Sequence, residues 1–198
     1  MARDASTASA VTMIELLRRA RGLKTLPRAG WAKRRVREVE SVADHTFRVA
    51  LCAMLTSSTE AARAMGVDST RAVKMALVHD LAECVVGDIT PCDGVSDDDK
   101  HAMEKRAMDD LVKDLGSVGL EVLELWEEYE AGTSATAKLV KDCDKLEMVL
   151  QAQEYESEGN AGERGTLEEF FESTRGRYRT TIGTEMSEEI EKGRPGRE

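Results

Sequence analysis

The sequence predicts an all-α fold. Its prolines are confined to Pro27, Pro91 and Pro195, and Ala, Leu, Glu, Lys, Arg and Met are abundant. No segment shows the apolar/polar alternation of a half-buried strand, whereas apolar positions recur at three and four residues, the period of one helix face.

The elements follow in order. The start, MARDASTASAVTMIELLRRARGL, carries Asp4 early and Glu15 inside its apolar part, so it reads as a flexible tail over 1–7 leading into an amphipathic helix over 8–22. The segment 22–40, GLKTLPRAGWAKRRVREVE, is basic and broken by Pro and Gly; connections this long in compact domains are often functional. A helix over 42–65 opens on a capping box, Ser41 with Asp44, and its residues Phe47, Ala50, Leu51, Met54 and Leu55 are expected to face the core. The next helix, 69–82, is apolar nearly all round through Val73, Met75, Ala76, Leu77 and Val78, which makes it central in its bundle. Pro91, after Asp88, closes that region. Helices over 97–114 and 118–130 precede one over 135–158 with the stripe Leu139, Cys143, Leu146, Leu150. Helices over 166–174 and 184–192 complete one domain, 8–192, before a flexible tail over 193–198.

Composition narrows the function. A chain of 198 residues with 41% hydrophobic and 33% charged residues buries a sizeable core without disulfides. No run approaches the roughly 18 apolar residues of a membrane span, so no membrane partner is expected. A formal charge of −10 argues against nucleic acid as a partner, while leaving room for a small phosphorylated ligand in a local basic pocket. Cys52, Cys84, Cys92 and Cys143 form no C-x-x-C pair and read as reduced thiols in a cytoplasmic protein.

The chemistry concentrates in residues 75–91, MALVHDLAECVVGDITP. Asp80 projects from an otherwise apolar helical stripe, His79 is its neighbour, and Glu83 lies near both at helical spacing. A buried carboxylate beside a buried imidazole needs a partner, and a divalent metal is the commonest way to hold the two together. His45, at the first turn of its helix, is the natural further ligand; His101, among charged neighbours in SDDDKHAMEK, reads as solvated. In KDCDKLEMVLQAQEY, Asp144 sits on the edge of the apolar stripe and Asp142 on the far side, a spacing that favours Asp144 only mildly. Arg28, Lys33, Arg34 and Arg35 cluster around Trp31 in the connection leading to His45, and supply cations for a phosphate.

With the surrounding text PRAGW, ESVADH, ALVHDLAECVVGDITP and KDCDKLEMVLQAQEYE, this order of residues resembles the HD-domain metal phosphohydrolases, and among them the 5′-deoxynucleotidases, over roughly residues 10 to 182. The resemblance implies an all-α HD-domain helical bundle that forms a homodimer. It implies one divalent transition metal (Mn, Co, Fe, Ni or Zn) held by His45, His79, Asp80 and Asp144, with Glu83 as acid/base. It also places Trp31 against the nucleotide and Asp88 at the deoxyribose. Some relatives carry Arg immediately before this Trp, where this chain has Gly30, so the phosphate ligand stays open among Arg28, Arg34 and Arg35. The implied reaction is hydrolysis of deoxyribonucleoside 5′-monophosphates to deoxynucleoside and phosphate. Alternatives are another HD-type hydrolase, acting on cyclic dinucleotides, triphosphates or guanosine alarmones, and a non-catalytic nucleotide-binding module. The former usually carry larger domains or extra histidine ligands; the latter leaves an intact set of candidate ligands unexplained.

Overall fold

The computed structural model describes residues 7–195, so the expected tails lie outside the described residues except for Thr7 and 193–195. Among the described residues the chain is helical, with no strand longer than the isolated bridges Thr7 to Gly116 and Pro27 to Ser41. The helices are α1 (Ala10–Ala20), α2 (Ala29–Lys33), α3 (Val42–Ser57), α4 (Glu60–Ala64), α5 (Ser69–Val78), α6 (Glu83–Val86), α7 (Asp97–Val112), α8 (Gly116–Ala131), α9 (Ala135–Ser157), α10 (Glu168–Thr174) and α11 (Thr181–Lys192).

Short polar side chains start most of them. Ser9, Thr59, Asp68, Ser96, Ser134 and Thr180 each accept a bond from a backbone N–H of the first helical turn. At α3 the capping box is complete: the Asp44 N–H donates to Ser41 Oγ at 3.1 Å, and the Ser41 N–H donates to Asp44 Oδ2 at 2.9 Å. The expected 42–65 helix is two helices, because Thr59 caps α4 and interrupts the ladder. The expected 69–82 helix ends at Val78, beyond which three-residue turns (Leu81 N–H to Val78 O, 3.1 Å; Glu83 N–H to Asp80 O, 3.0 Å) carry the chain into α6. The basic connection also holds a short helix of its own, α2.

Helices α3, α5 and α9 pack mutually at the centre, α8 covers α5 and α9, α7 lies on α8, and α11 runs along α9. Small side chains make the close approach possible: Val49, Ala53, Ala72, Ala76 and Ala137 are fully buried here with Met75, Leu139 and Cys143. The expected core stripe of α3 is therefore corrected. Ala50 is buried, but Phe47 is 70% exposed, Met54 52%, Leu55 60% and Leu51 40%. The helix is apolar on two faces, and the face with smaller side chains is the one its neighbours cover. On α5, Leu77 likewise points outward while Met75 and Ala76 are buried.

Residue 194, expected in a flexible tail, is packed against the domain. The Arg194 side chain is buried, donates to Glu156 at 2.8 Å and Glu168 at 2.6 Å, and lies 3.7 Å above the Phe171 ring. Asp142, on the far side of α9, is spent on structure. Its Oδ2 accepts from the backbone N–H of Arg179 and of Thr180, each at 2.8 Å, and so docks the start of α11. Gly183 makes this contact possible, since a Cβ there would lie 2.6 Å from Asp142 Oδ2.

Candidate active site

The site forms where the central helices meet the end of α5. His45 comes from the first turns of α3, His79 and Asp80 from the turn after α5, and Asp144 from α9. His45 Nε2 lies 3.2 Å from Asp144 Oδ1 and 3.6 Å from Asp80 Oδ2, and His79 Nε2 lies 3.2 Å from Asp80 Oδ2. The donor atoms of His45, His79 and Asp80 fall within 4.8 Å of one another.

The ring tautomers can be read from the partners. His79 Nδ1 is 2.7 Å from the Ala76 carbonyl, which can only accept, so the proton sits on Nδ1 and Nε2 presents a lone pair. His45 Nδ1 is paired with Glu147 Oε2, which orients that ring in the same sense. His45 Nε2, His79 Nε2 and Asp80 Oδ2 are buried and make no hydrogen bond to the protein. Buried polar atoms rarely go unpaired. Two imidazole nitrogens and one Asp80 oxygen converge unmatched, with Asp144 Oδ1 3.2 Å from His45 Nε2, and together form a donor set that fits one divalent transition ion.

The electrostatics agree. Burial alone would raise the Asp80 carboxyl, but the His79 imidazole and Arg28 guanidinium, with His45, hold it well below the usual range. Burial likewise opposes ionisation of Asp144, and the His45 imidazole, 3.2 Å away, holds it low. Burial and the Arg28 charge act to lower His45, yet its Asp144 and Glu147 partners push it up to about 9, so near neutral pH the metal-free ring also holds a proton on Nε2, which a bound ion would replace. Glu83 behaves oppositely: burial first, then the charges of Asp80 and Asp88, push it up to about 10, and its buried Oε2 has no partner.

A cleft of about 580 Å³ opens above these groups. Arg28 lies at its floor, 3.6 Å from Asp80 and 3.7 Å from Asp88. Asp88 Oδ2 accepts from the Ala29 N–H at 2.7 Å, so Asp88 tethers the start of α2 and the arginine beside it. Trp31 forms part of the wall but is only 2% exposed; its Nε1 donates to Glu40 at 2.8 Å and its ring packs on Tyr155 and Phe170. Arg34 reaches the rim, paired with Glu169. Arg35 does not belong to this cleft. It has a left-handed backbone (φ 56°) and a largely exposed side chain paired with Glu163, on a separate surface depression. One sequence-adjacent arginine was thus turned away by backbone geometry that composition does not reveal. His101 is exposed, stacked on Trp126 and 3.0 Å from Glu130, as its neighbours imply.

Several site residues escaped the sequence reading. Lys100, Lys141 and Lys145 line the cleft, and Tyr129 donates to Asp144 Oδ2 at 2.7 Å. Glu147 is fully buried against His45. Its position, one helical turn after Asp144, was the available signal.

A family model described as HD domain matches residues 20–185. The chain belongs to the HD domain family. Among HD domain relatives, 5′-deoxynucleotidase HDDC2 of Danio rerio is 45% identical over 168 residues, 84% of this chain and 80% of that protein. The 5′-deoxynucleotidase HDDC2 of Homo sapiens is 40% identical over 181 residues, 91% and 85% of the two chains. The solved structure of the PH0347 protein from Pyrococcus horikoshii OT3 is similar with a TM-score of 0.72 and 34% identity, covering 91% of this chain and 98% of that one. No helix among the described residues is long and apolar enough to cross a membrane.

Proposed function

We propose that the protein is a metal-dependent 5′-deoxynucleotidase that hydrolyses deoxyribonucleoside 5′-monophosphates to deoxynucleoside and phosphate. The observation that carries this is the cluster of buried, unmatched donor atoms of His45, His79 and Asp80, with Asp144 beside them, at the floor of a cation-lined cleft. The relatives named 5′-deoxynucleotidase, at 40% and 45% identity along most of the chain, support the substrate class.

In this reading His45, His79, Asp80 and Asp144 hold one divalent ion, with Mn, Fe, Co, Ni and Zn all suited to the donor set. Such an ion, when bound, lowers the pKa of water and neutralises phosphate oxygens. The protein supplies the rest. Arg28 is fixed between Asp80 and Asp88 and faces the phosphate, and Lys100 and Lys141 add positive charge at the rim. Glu83 is buried and spare of the donor set, so its carboxyl exchanges a proton with the attacking water or the leaving sugar oxygen. Asp88 acts by holding Ala29 and Arg28 at the sugar end, and Trp31 forms part of the wall.

A homodimer is part of the same proposal. The exposed strip Phe47, Leu51, Met54 and Leu55 on α3 is the kind of contiguous apolar surface that a second copy covers. The four unpaired cysteines support a reducing, cytoplasmic setting.

The test is a panel assay of purified protein with Mn²⁺ or Co²⁺ against deoxy- and ribonucleotides of each base and phosphorylation state, with a chelator control, and with mass in solution recorded. Phosphate release from the deoxy monophosphates, abolished by chelation, is expected. Turnover of triphosphates or cyclic dinucleotides instead would replace the substrate assignment, and metal binding with no turnover on any nucleotide would turn the proposal to a binding module.

A further inference from the structure

We infer that Glu147 is a positioning residue for the metal centre, holding the His45 imidazole with its proton on Nδ1 and its Nε2 lone pair aimed between Asp80 and Asp144. The inference rests on the reading of His45 as a ligand.

Helix α9 straddles the His45 ring. Asp144 approaches Nε2 at 3.2 Å, and Glu147, one turn later, meets Nδ1. A carboxylate this deeply buried is costly unless it is paired. Here both oxygens are engaged: Oε2 by His45, and Oε1 by Arg48, whose Nε and Nη2 both lie at 2.8 Å. Arg48 is itself fixed on α9 by Glu154 at 2.7 Å and Gln151 at 2.8 Å. The arginine occupies Oε1, which leaves Oε2 to accept from Nδ1–H. Glu40, the other carboxylate near this ring, is committed to Trp31 Nε1.

The two histidines therefore differ. His79 is oriented by the main-chain carbonyl of Ala76, which no substitution removes, whereas His45 depends on a side chain. A carboxylate acceptor at Nδ1 also makes Nε2 a stronger donor than a carbonyl does, and such partners typically change metal affinity 10–100-fold. Mere attachment of α3 to α9 does not require Glu147, because Arg48 already reaches Glu154 and Gln151. In Glu147→Gln the amide nitrogen competes for either partner: placed at Nδ1 it selects the wrong tautomer, and placed at Arg48 it opposes a cation.

The experiment titrates Co²⁺ into chelator-stripped full-length wild type and Glu147→Gln, following the visible absorption of the bound ion. It also records the imidazole Nδ1–H resonances of ¹⁵N-labelled, Zn²⁺-loaded protein. One ion per chain should bind in both, about 10–100-fold more weakly in the variant. The far-downfield Nδ1–H of His45, a mark of a carboxylate acceptor, should be lost while that of His79 stays. Equal affinity with an unchanged His45 resonance would overturn the inference. If the stripped Glu147→Gln melts far below wild type, Glu147→Asp carries the same measurement, since it keeps the charge opposite Arg48 and withdraws the acceptor by one methylene; a smaller loss in the same direction is expected, and none would overturn the role. Failure of wild type to bind Co²⁺ would remove the metal-centre reading itself, an outcome distinct from equal binding by both proteins.

Discussion

Replacing Glu83 by Gln should make the enzyme slower and the stripped protein sturdier at the same time. Glu83 is buried, its Oε2 has no hydrogen-bond partner, and Asp80 and Asp88 repel its charge, so its carboxyl is pushed up to about 10. An unfolded glutamate ionises near 4.3. Below that value the group is neutral in both states and costs nothing. Above it the unfolded chain releases a proton that the folded chain retains, so stability declines as pH rises until the folded group ionises as well. The slope is at most about 1.4 kcal/mol per pH unit. Going from about pH 6 to about pH 8 then lowers the stability of the metal-free protein by up to about 3 kcal/mol through this group, or roughly 6–12 °C in Tm for a chain of this size. Glu83→Gln has no proton to release and should lose that slope. Since Glu83 lies outside the proposed donor set, the variant should retain its metal, while kcat falls by about 10²–10⁴-fold for loss of a general acid/base. Thermal melts of chelator-treated wild type and variant at both pH values, with metal content and steady-state kinetics of the loaded proteins, measure all three effects. Parallel melting curves would refute the electrostatic argument, and undiminished kcat would refute the catalytic one.

Asp144→Ala should lose bound metal, read by elemental analysis after dialysis, and full activity in that variant would contradict the ligand set. Asp88→Asn weakens the acceptor for Ala29 N–H and removes the charge opposite Arg28, so KM should rise about 10-fold with a smaller change in kcat, in line with about 1–2 kcal/mol for a charge-assisted bond. Arg194→Ala leaves the buried Glu156 carboxylate without its cation and should cost about 3 kcal/mol in urea unfolding, with kcat unchanged because neither Arg194 nor its partners Glu156 and Glu168 line the cleft.

Features set by neighbours within a turn or two could be read from the order of residues. Helix starts were legible in caps such as Ser41 with Asp44, because a short polar side chain satisfies backbone donors only a few residues away. The convergence of His79, Asp80 and Glu83 was legible because acids and an imidazole at helical spacing sat within an apolar run. Even there the local geometry differed, since α5 ends at Val78, tight turns present His79 and Asp80, and Glu83 opens the separate helix α6.

Tertiary structure alone decided what depends on which surfaces meet. Periodicity marks a face of α3 as apolar but cannot say which of two apolar faces is covered; Val49 and Ala53 went inward and Phe47 outward because small side chains let α3, α5 and α9 approach. Arg28, Arg34 and Arg35 look alike in the sequence. Only the folded chain tethers the segment beside Arg28 to Asp88 and turns Arg35 toward Glu163. The burial of Glu147 against His45, 102 positions away in the chain, belongs to the same class. A pairing across that distance leaves no periodic trace in either segment; it exists because packing brings one turn of α9 against the first turns of α3, where a buried charge must find its partner.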